Sequence, residues 1–543
     1  MDLKPWKKIP GRVLLVVLNV FTAVALIYEG YNQGVMGTVS TTPGFIDMAK
    51  IGANGKVTDS TKQGGLAASY YFGGVFGCFI GGSAGDKLGR KKGVWIGSCF
   101  SILGAALMAS SQSANMFICA RVVAGIGIGF VNAIVPPWVS ELSEAHNRGA
   151  SFARVFTANY LGIALAYWIN FGVRNSEVSF RWRFPLAFMT IPVLIIALTV
   201  VFLPDSPRWL IANNRKAESI EVLAKVRGDL PHDSPILKAE IEQLEAVVEA
   251  STWKRNRLWN LAIGRYSGRL HLGRRVWMGF ALQWLQQWTG ILAIATWSGN
   301  LFALAGFDSY KSAWLAGLVN TVGFFGTLAS TLVIDRVGRV KSLLISFVLQ
   351  GISLFLVAAF IRTSELASSE ARSQRLGTAA AALVFVYLWF FTMFNIVPCW
   401  IYSTEIWPQE IRAKGYSFTI LGWAIGCGMN TFVIPIMLDR LGWKTFIIFG
   451  CFNFLFFPII YLVYPEVSGR TLEEVNLLFA SDSLLVRDNM KEYHRMIDEA
   501  GGNIAVAERR LLDMVDAEAA EHEDREAIAE GAKAGVHEEH VEK

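Results

Sequence analysis

In a chain whose side chains are 53% hydrophobic and only 17% charged, the charges that recur in fixed patterns are the ones placed to do chemistry. Asp86 and Arg90 in DKLGRKK return as Asp335 and Arg339 in DRVGRVK. Glu141 and Arg148 stand seven residues apart, and so do Glu405 and Arg412. Arg208 in PDSPRWL is echoed by the Glu466 segment PEVSGRTL. Acids and arginines so placed form charge-assisted hydrogen bonds that one conformation makes and another breaks. Ions at helix ends also snorkel with no such role, but their repetition in order favours a shared gate. Two more ions, Glu29 and Arg121, lie inside long apolar runs, where a charge is costly unless paired or functional. Amides add neutral polarity: Gln286, Gln287, Asn320, Asn395 and Asn430 each offer a donor and an acceptor without burying a charge. They serve either a neutral polar ligand or hydrogen bonds between helices.

The elements that must hold these groups are membrane helices. A bilayer core of about 30 Å needs roughly 20 mostly apolar residues per helix. Such stretches fall near 13–37, 66–85, 93–111, 116–139, 152–172 and 184–203, and again near 276–304, 313–334, 342–361, 380–404, 416–437 and 443–464. Mean hydropathy is +0.39, and 50 Gly with 18 Trp suit helices that pack closely in lipid and anchor at its surfaces. The expected fold is all-α, with twelve transmembrane helices in two six-helix halves. Residues 1–203 form the first half, 204–275 a helical linker, 276–470 the second half and 471–543 an acidic tail.

Charge sets the orientation. The tail from 471 carries a net −11, so the remainder carries +17. Basic clusters precede the first span, follow the second and eighth, and fill the linker, which places all of these and both termini in the cytoplasm. Arg174, Arg181 and Arg183, between the fifth and sixth spans, are the exception. The linker carries apolar residues at helical spacing (Ile220, Leu223, Ala224; Ile241, Leu244, Val248) and reads as short amphipathic helices under the membrane body. The tail reads as helical at first and disordered beyond about 517. Six cysteines without a CxxC pair read as buried free thiols.

An enzyme is not expected. None of the seven histidines lies in a span, and no HExxH, P-loop or Gly-x-Ser-x-Gly at a strand–helix turn occurs. GIGIGF (125–130) lies in an apolar span and implies close helix packing, not a nucleotide loop. No catalytic residue, metal or cofactor is expected, and no soluble basic face invites nucleic acid. The charged motifs match between halves in the same order, so the chain reads as a duplicated six-helix unit, the architecture of a rocker-type transporter.

GYNQGVMG (30–37), DKLGRKK, RVVAGIGIG (121–129), PDSPRWL, QQWTG (286–290), Asn320-Thr321, DRVGR, EIWPQEIRAKG (405–415) and PEVSGRTLEEV together resemble the sugar porter family of the major facilitator superfamily, its fungal members above all. The resemblance covers about residues 12–475. It implies alternating access of a monosaccharide site midway between the halves, opened and closed by the charge network. It further implies that Gln286, Gln287 and Asn320 hydrogen-bond a sugar and that Trp400 packs on its ring, with Asn395 and Asn430 as further polar groups outside the family motif. Three positions depart from the family pattern: a glutamine of the fifth span is Phe156, the asparagine after QQxxG is Leu292, and an asparagine of the eleventh span is Trp423. These losses imply a substrate smaller, less hydroxylated or held differently from glucose.

Proton-coupled members of that family carry an aspartate in the first span facing the fourth-span arginine. Here the position is Asn32, as in facilitators, but Glu29 lies one helical turn earlier. Glu29 is therefore expected to replace it, alternating between Arg121 and a proton. The expectation is a plasma-membrane secondary transporter importing a pentose, hexose or close relative with protons, working as a monomer in lipid. An uncoupled facilitator, a transporter-like sensor and a sugar-acid or polyol carrier are the alternatives.

Overall fold

The computed structural model describes residues 5–142, 148–249, 258–265, 267–408 and 411–518. The first six spans are Gly11–Val39, Ser60–Leu88, Arg90–Ala109, Ala114–Leu142, Arg148–Gly172 and Phe180–Phe202. Spans 8 to 12 are Ser309–Val337, Arg339–Glu365, Glu370–Glu405, Arg412–Leu441 and Lys444–Val463. Span 7 is broken into Leu272–Gln287, Ile291–Ala295 and Ser298–Leu304. Among the described residues, nine helices are long and apolar enough to cross a membrane by length and composition. Spans 2, 5 and 7 fall outside that set. Several helices outrun their apolar cores because polar caps extend them: Asp59 accepts from the Lys62 N–H at 2.9 Å and Asp308 from the Lys311 N–H at 2.8 Å.

Small residues set how closely the helices approach. A Cβ on Gly125 would lie 2.0 Å from the Tyr70 oxygen, and one on Gly129 2.6 Å from the Cys78 nitrogen, so GIGIGF is the seam of span 4 against span 2. The halves meet chiefly along two helix pairs. Span 2 lies against span 11, from Ser60, which donates to Asp439 at 3.1 Å, to Gly82 beside Ser417. Span 5 lies against span 8, where Trp168 donates to Thr321 at 2.9 Å and Gly323 makes room for the Tyr160 ring.

Among the described residues the linker forms four α-helices, Pro207–Ala212, Lys216–Val226, Pro235–Glu249 and Leu258–Ile263. Leu223, Ala224, Leu237 and Ile241 form one apolar cluster with Ile220 and Leu244 packed on it, as their spacing implies. The tail forms helices among its described residues. Helices Val486–Glu499 and 504–518 follow a capping box at Thr471, and Tyr493, Met496, Leu511 and Val515 join the apolar cluster of Val276, Tyr402 and Trp407. Residues 519–543, which carry most of the expected disorder, lie outside the described residues.

The expectation for the cysteines changes. All six cysteines are unpaired, but only Cys78, Cys399 and Cys427 are buried; Cys99, Cys119 and Cys451 stand on outward faces, where apolarity serves lipid and not the protein core. The arginines of the span 5–6 loop are occupied by local carbonyls and rings. Arg183 donates to the Ala109 and Ser111 oxygens at 2.6 and 2.9 Å, closing the C-terminal end of span 3, and Arg174 stacks on Phe171.

Candidate functional site

At the end of the bundle that carries the linker and tail, both halves build the same device from the repeated motif. Gly89 and Gly338 adopt φ of 95° and 96°, and a Cβ at either would lie 2.7 Å from a carboxylate oxygen, of Asp205 and Glu466 respectively. Asp205 accepts from the Arg90 N–H at 2.9 Å; Glu466 accepts from Arg339 and Val340 N–H groups, both at 3.0 Å. Each carboxylate thereby caps the N-terminus of the helix that follows the turn, where free N–H groups and the helix dipole favour negative charge. Burial pushes the Asp205 carboxyl up, against the N–H bonds that hold it ionised. Asp205 was not among the residues singled out from sequence. The signal was there, because PDSPRWL and PEVSGRTL align Asp205 with Glu466.

The arginines face inward from the same turns. Arg90 reaches Asp86 at 2.8 Å and Glu141 at 3.4 Å. Arg339 reaches Asp335 at 3.2 Å, Glu405 at 2.9 Å and the Ser468 hydroxyl at 2.7 Å. Arg412, expected beside Glu405, donates to the Trp407 oxygen at 3.4 Å. Arg208 lies on the short helix Pro207–Ala212, and the Arg148 side chain lies outside the described residues. The pairs just described close within one half each. Each arginine finds its acids on neighbouring helices whose ends share one corner of the bundle. Hydrogen bonds join the halves at the opposite end, where the Tyr167 hydroxyl donates to the Ala295 and Thr296 oxygens and accepts from Ser298. There Gly37 lets span 1 lie directly on the Thr296 carbonyl.

Midway between the ends lie the amides. Span 7 breaks at Gly290, with φ of 99°, and the freed Thr289 carbonyl accepts from Tyr387 and Asn453, both at 2.9 Å, so the interruption leaves that group satisfied. Just before the break, Gln287 donates to Gln286 at 3.2 Å and Gln286 to Asn395 at 3.0 Å. Asn395 sits in a π-helical turn, Thr392–Ile396, upstream of Pro398, which has no N–H to return to the Phe394 carbonyl. Asn320 is committed elsewhere, donating to Ala316 and Ala295 at 2.9 and 3.3 Å and so tying span 8 to span 7. Asn430 donates to Gly426 in its own helix. Among the described residues several buried amide atoms find no partner, including the Asn320 and Asn430 oxygens, the Asn395 nitrogen, and both atoms of Gln283 and Asn159. Gln283 and Asn159 escaped sequence reading; Asn159, one turn beyond Phe156, was the findable one.

Around Trp400 the rings form a belt. Phe156 lies 5.5 Å from it, Trp423 6.2 Å and Tyr416 6.4 Å; Trp423 in turn meets Tyr71 at 5.8 Å, and Tyr71 meets Tyr70 at 5.3 Å. Two of the three departures from the family pattern therefore touch the same tryptophan. Leu292 is buried in the second piece of span 7.

The belt ends at Arg121, whose guanidinium stands 4.7 Å over the Tyr70 ring and donates to the Ala67 oxygen at 2.7 Å. Among the described residues its Nε and Nη1 groups find no acceptor. Glu29 is 3% exposed and accepts from Gln33 at 3.3 Å, with Asn132 facing its carboxyl group. Among the described residues it forms no ion pair with Arg121, which this conformation leaves with span 2. Asn32 donates to the Tyr28 oxygen at 2.9 Å.

The comparisons agree with this architecture. A family model described as "Sugar (and other) transporter" matches residues 18–479. The major facilitator superfamily transporter mfsA of Aspergillus fumigatus is 31% identical over 492 residues, 87% of each chain, and the sugar transporter STL1 of Saccharomyces cerevisiae 28% over 483 residues, 87% of this chain and 82% of that one. The solved structure of the proton:xylose symporter XylE bound to 6-bromo-6-deoxy-D-glucose superposes with a TM-score of 0.71 at 20% identity, covering 86% of this chain and all of that one. Its likeness establishes the fold, twelve helices in the major facilitator arrangement. The chain is thus an integral membrane transporter, not an enzyme, and it belongs to the sugar transporter family of the major facilitator superfamily.

Proposed function

We propose that this chain imports a monosaccharide or close relative across the plasma membrane by alternating access, with both termini in the cytoplasm and with protons carried on Glu29. The observation that carries the coupling is a buried carboxylate that, among the described residues, is held by the Gln33 amide and by no cation, on the helix facing a buried arginine whose Nε and Nη1 find no acceptor there. A lone buried charge is costly, so protonation or a move toward Arg121 relieves it. Gln286, Gln287 and Asn395 line the solute path, with Trp400 as its apolar wall. The repeated arginine–carboxylate networks form the cytoplasmic gate, and linker and tail lie beneath it. Relatives named as sugar transporter and high-affinity glucose transporter favour a monosaccharide.

Uptake of a labelled sugar panel in a transporter-null host, with and without a protonophore, tests the reading. Accumulation that collapses with the protonophore supports symport. Uptake that merely equilibrates and ignores it overturns the coupling and leaves an uncoupled facilitator, which Asn32 favours. Absence of uptake across the panel points to a sensor.

A further inference from the structure

We propose that the last linker helix, Leu258–Ile263, lies in the phospholipid surface at the linker end of the bundle and seats the start of span 7 there, with Arg265 and Arg269 drawn to anionic headgroups. The inference concerns how the chain sits in lipid and does not depend on which solute is carried. Trp259 and Ile263, one turn apart, share one face of this helix. Trp259 is 74% exposed and Ile263 more than half exposed, while Leu261, between them, is buried in the apolar cluster of the second half. One side of the helix is therefore anchored to protein and the other offers an apolar face outward, where contact with water is unfavourable. Span 7 continues that face. The Trp277 indole N–H donates to the Ala262 oxygen at 3.0 Å, so the helix lies along the first turns of span 7, and Trp277 is itself more than half exposed beside Phe280. Indoles, apolar over most of their surface and polar at one edge, favour the depth of the headgroups.

Charge indicates what covers the face. From residue 250 to 307 the chain has seven basic residues and no acid. Arg265, just past the helix, is exposed. Arg269 is partly exposed and meets Glu492 and Glu518 only at 3.8 and 3.7 Å, which leaves it within reach of a further anion. Basic residues beside exposed indoles suit the anionic surface of a leaflet. The first half shows the contrast. Trp6, which likewise precedes a first span, is 2% exposed, and its neighbour Lys7 pairs with Glu221 of the linker at 2.6 Å. Among the described residues Trp259 has no such cover, and the surface next to it is the lipid-facing side of Trp277.

The test reconstitutes the full chain into vesicles of phosphatidylcholine and phosphatidylserine, with one species or the other brominated near the headgroup end of its acyl chains. Subtracting the fluorescence of Trp259→Phe, a change at an exposed position, isolates Trp259 from the other tryptophans. Brominated lipid should quench most of the Trp259 signal. Phosphatidylserine should be preferred over phosphatidylcholine at this site by about fivefold or more, the effect expected of a surface cation beside anionic lipid. Arg265→Gln combined with Arg269→Gln should bring that preference toward one while the quenching persists. A Trp259 signal that neither lipid quenches overturns the seating, since water or the chain's own tail then covers the face. Quenching without preference for phosphatidylserine overturns the role given to the arginines.

Discussion

Arg339 grips Glu405 with two hydrogen bonds, Nη2 to Oε1 at 2.9 Å and Nε to Oε2 at 3.0 Å, whereas its counterpart Arg90 meets Glu141 through a single contact of 3.4 Å. The duplicated motif therefore yields unequal clamps. Bidentate arginine–carboxylate geometry is the stronger, and the Arg339 side chain is only 7% exposed. Glu405→Gln should lower stability by about 3 kcal/mol, as breaking a buried pair does. Glu141→Gln should cost less, because it removes one long contact and leaves Arg90 paired with Asp86. Thermal unfolding of the two purified variants in detergent checks this. Equal losses would show that the second hydrogen bond adds nothing.

Replacing Glu29 by Gln keeps its hydrogen-bonding shape toward Gln33 and Asn132 but removes the titratable proton. Uphill uptake should vanish while counterflow exchange of labelled for unlabelled solute persists. Unchanged accumulation in vesicles bearing a proton gradient would remove Glu29 from the coupling.

The amides should divide by partner. Gln286→Ala takes away the group that bonds Asn395 and should raise the KM for uptake about tenfold or more, following the cost of roughly 1–3 kcal/mol for an unmade buried hydrogen bond. Asn320→Ala removes the tie between span 8 and the Ala295 carbonyl and should act chiefly on melting temperature. KM and melting temperature measured together distinguish the two; a larger KM effect at Asn320 would reverse the assignment.

The linker docks on the start of span 1 through Asp229, which accepts from the Gly11 N–H at 2.7 Å and pairs with Lys225 at 2.7 Å. The Lys225 ammonium, and then the Gly11 N–H, hold its carboxyl below the ordinary value. A depressed carboxylate contributes stability that is fully present above its unfolded pKa of about 3.9 and is lost as pH falls through the lower folded value. Docking should therefore be insensitive to pH across the physiological range and loosen only in stronger acid. Hydrogen exchange over residues 221–230 reads this directly, with Asp229→Asn expected to exchange faster even at neutral pH. Loosening of the native protein already near pH 5 would contradict it.

Much of the architecture was legible from the chain alone because membrane helices announce themselves locally. A run of about 20 apolar residues, a basic cluster at its end and a repeated DxxGR turn are each contiguous in sequence. The same holds for the amphipathic linker helices, whose Leu223 and Ile241 meet as their spacing implies. Asp205 was legible too, through its alignment with Glu466.

What only the tertiary structure decided is which polar group each buried side chain spends itself on. Asn320 and Gln286 are both intramembrane amides, yet one spends its donor on the Ala316 and Ala295 carbonyls and the other on the Asn395 side chain. Phe156 and Trp423 are far apart in sequence and meet at Trp400 only because spans 5, 10 and 11 converge there. Arg90 and Arg339 chose acids within their own halves, and the acidic tail found an apolar floor to fold on. Helix formation follows from local hydrogen bonding and hydropathy, whereas partner choice depends on which faces packing turns toward each other, and no local pattern carries that.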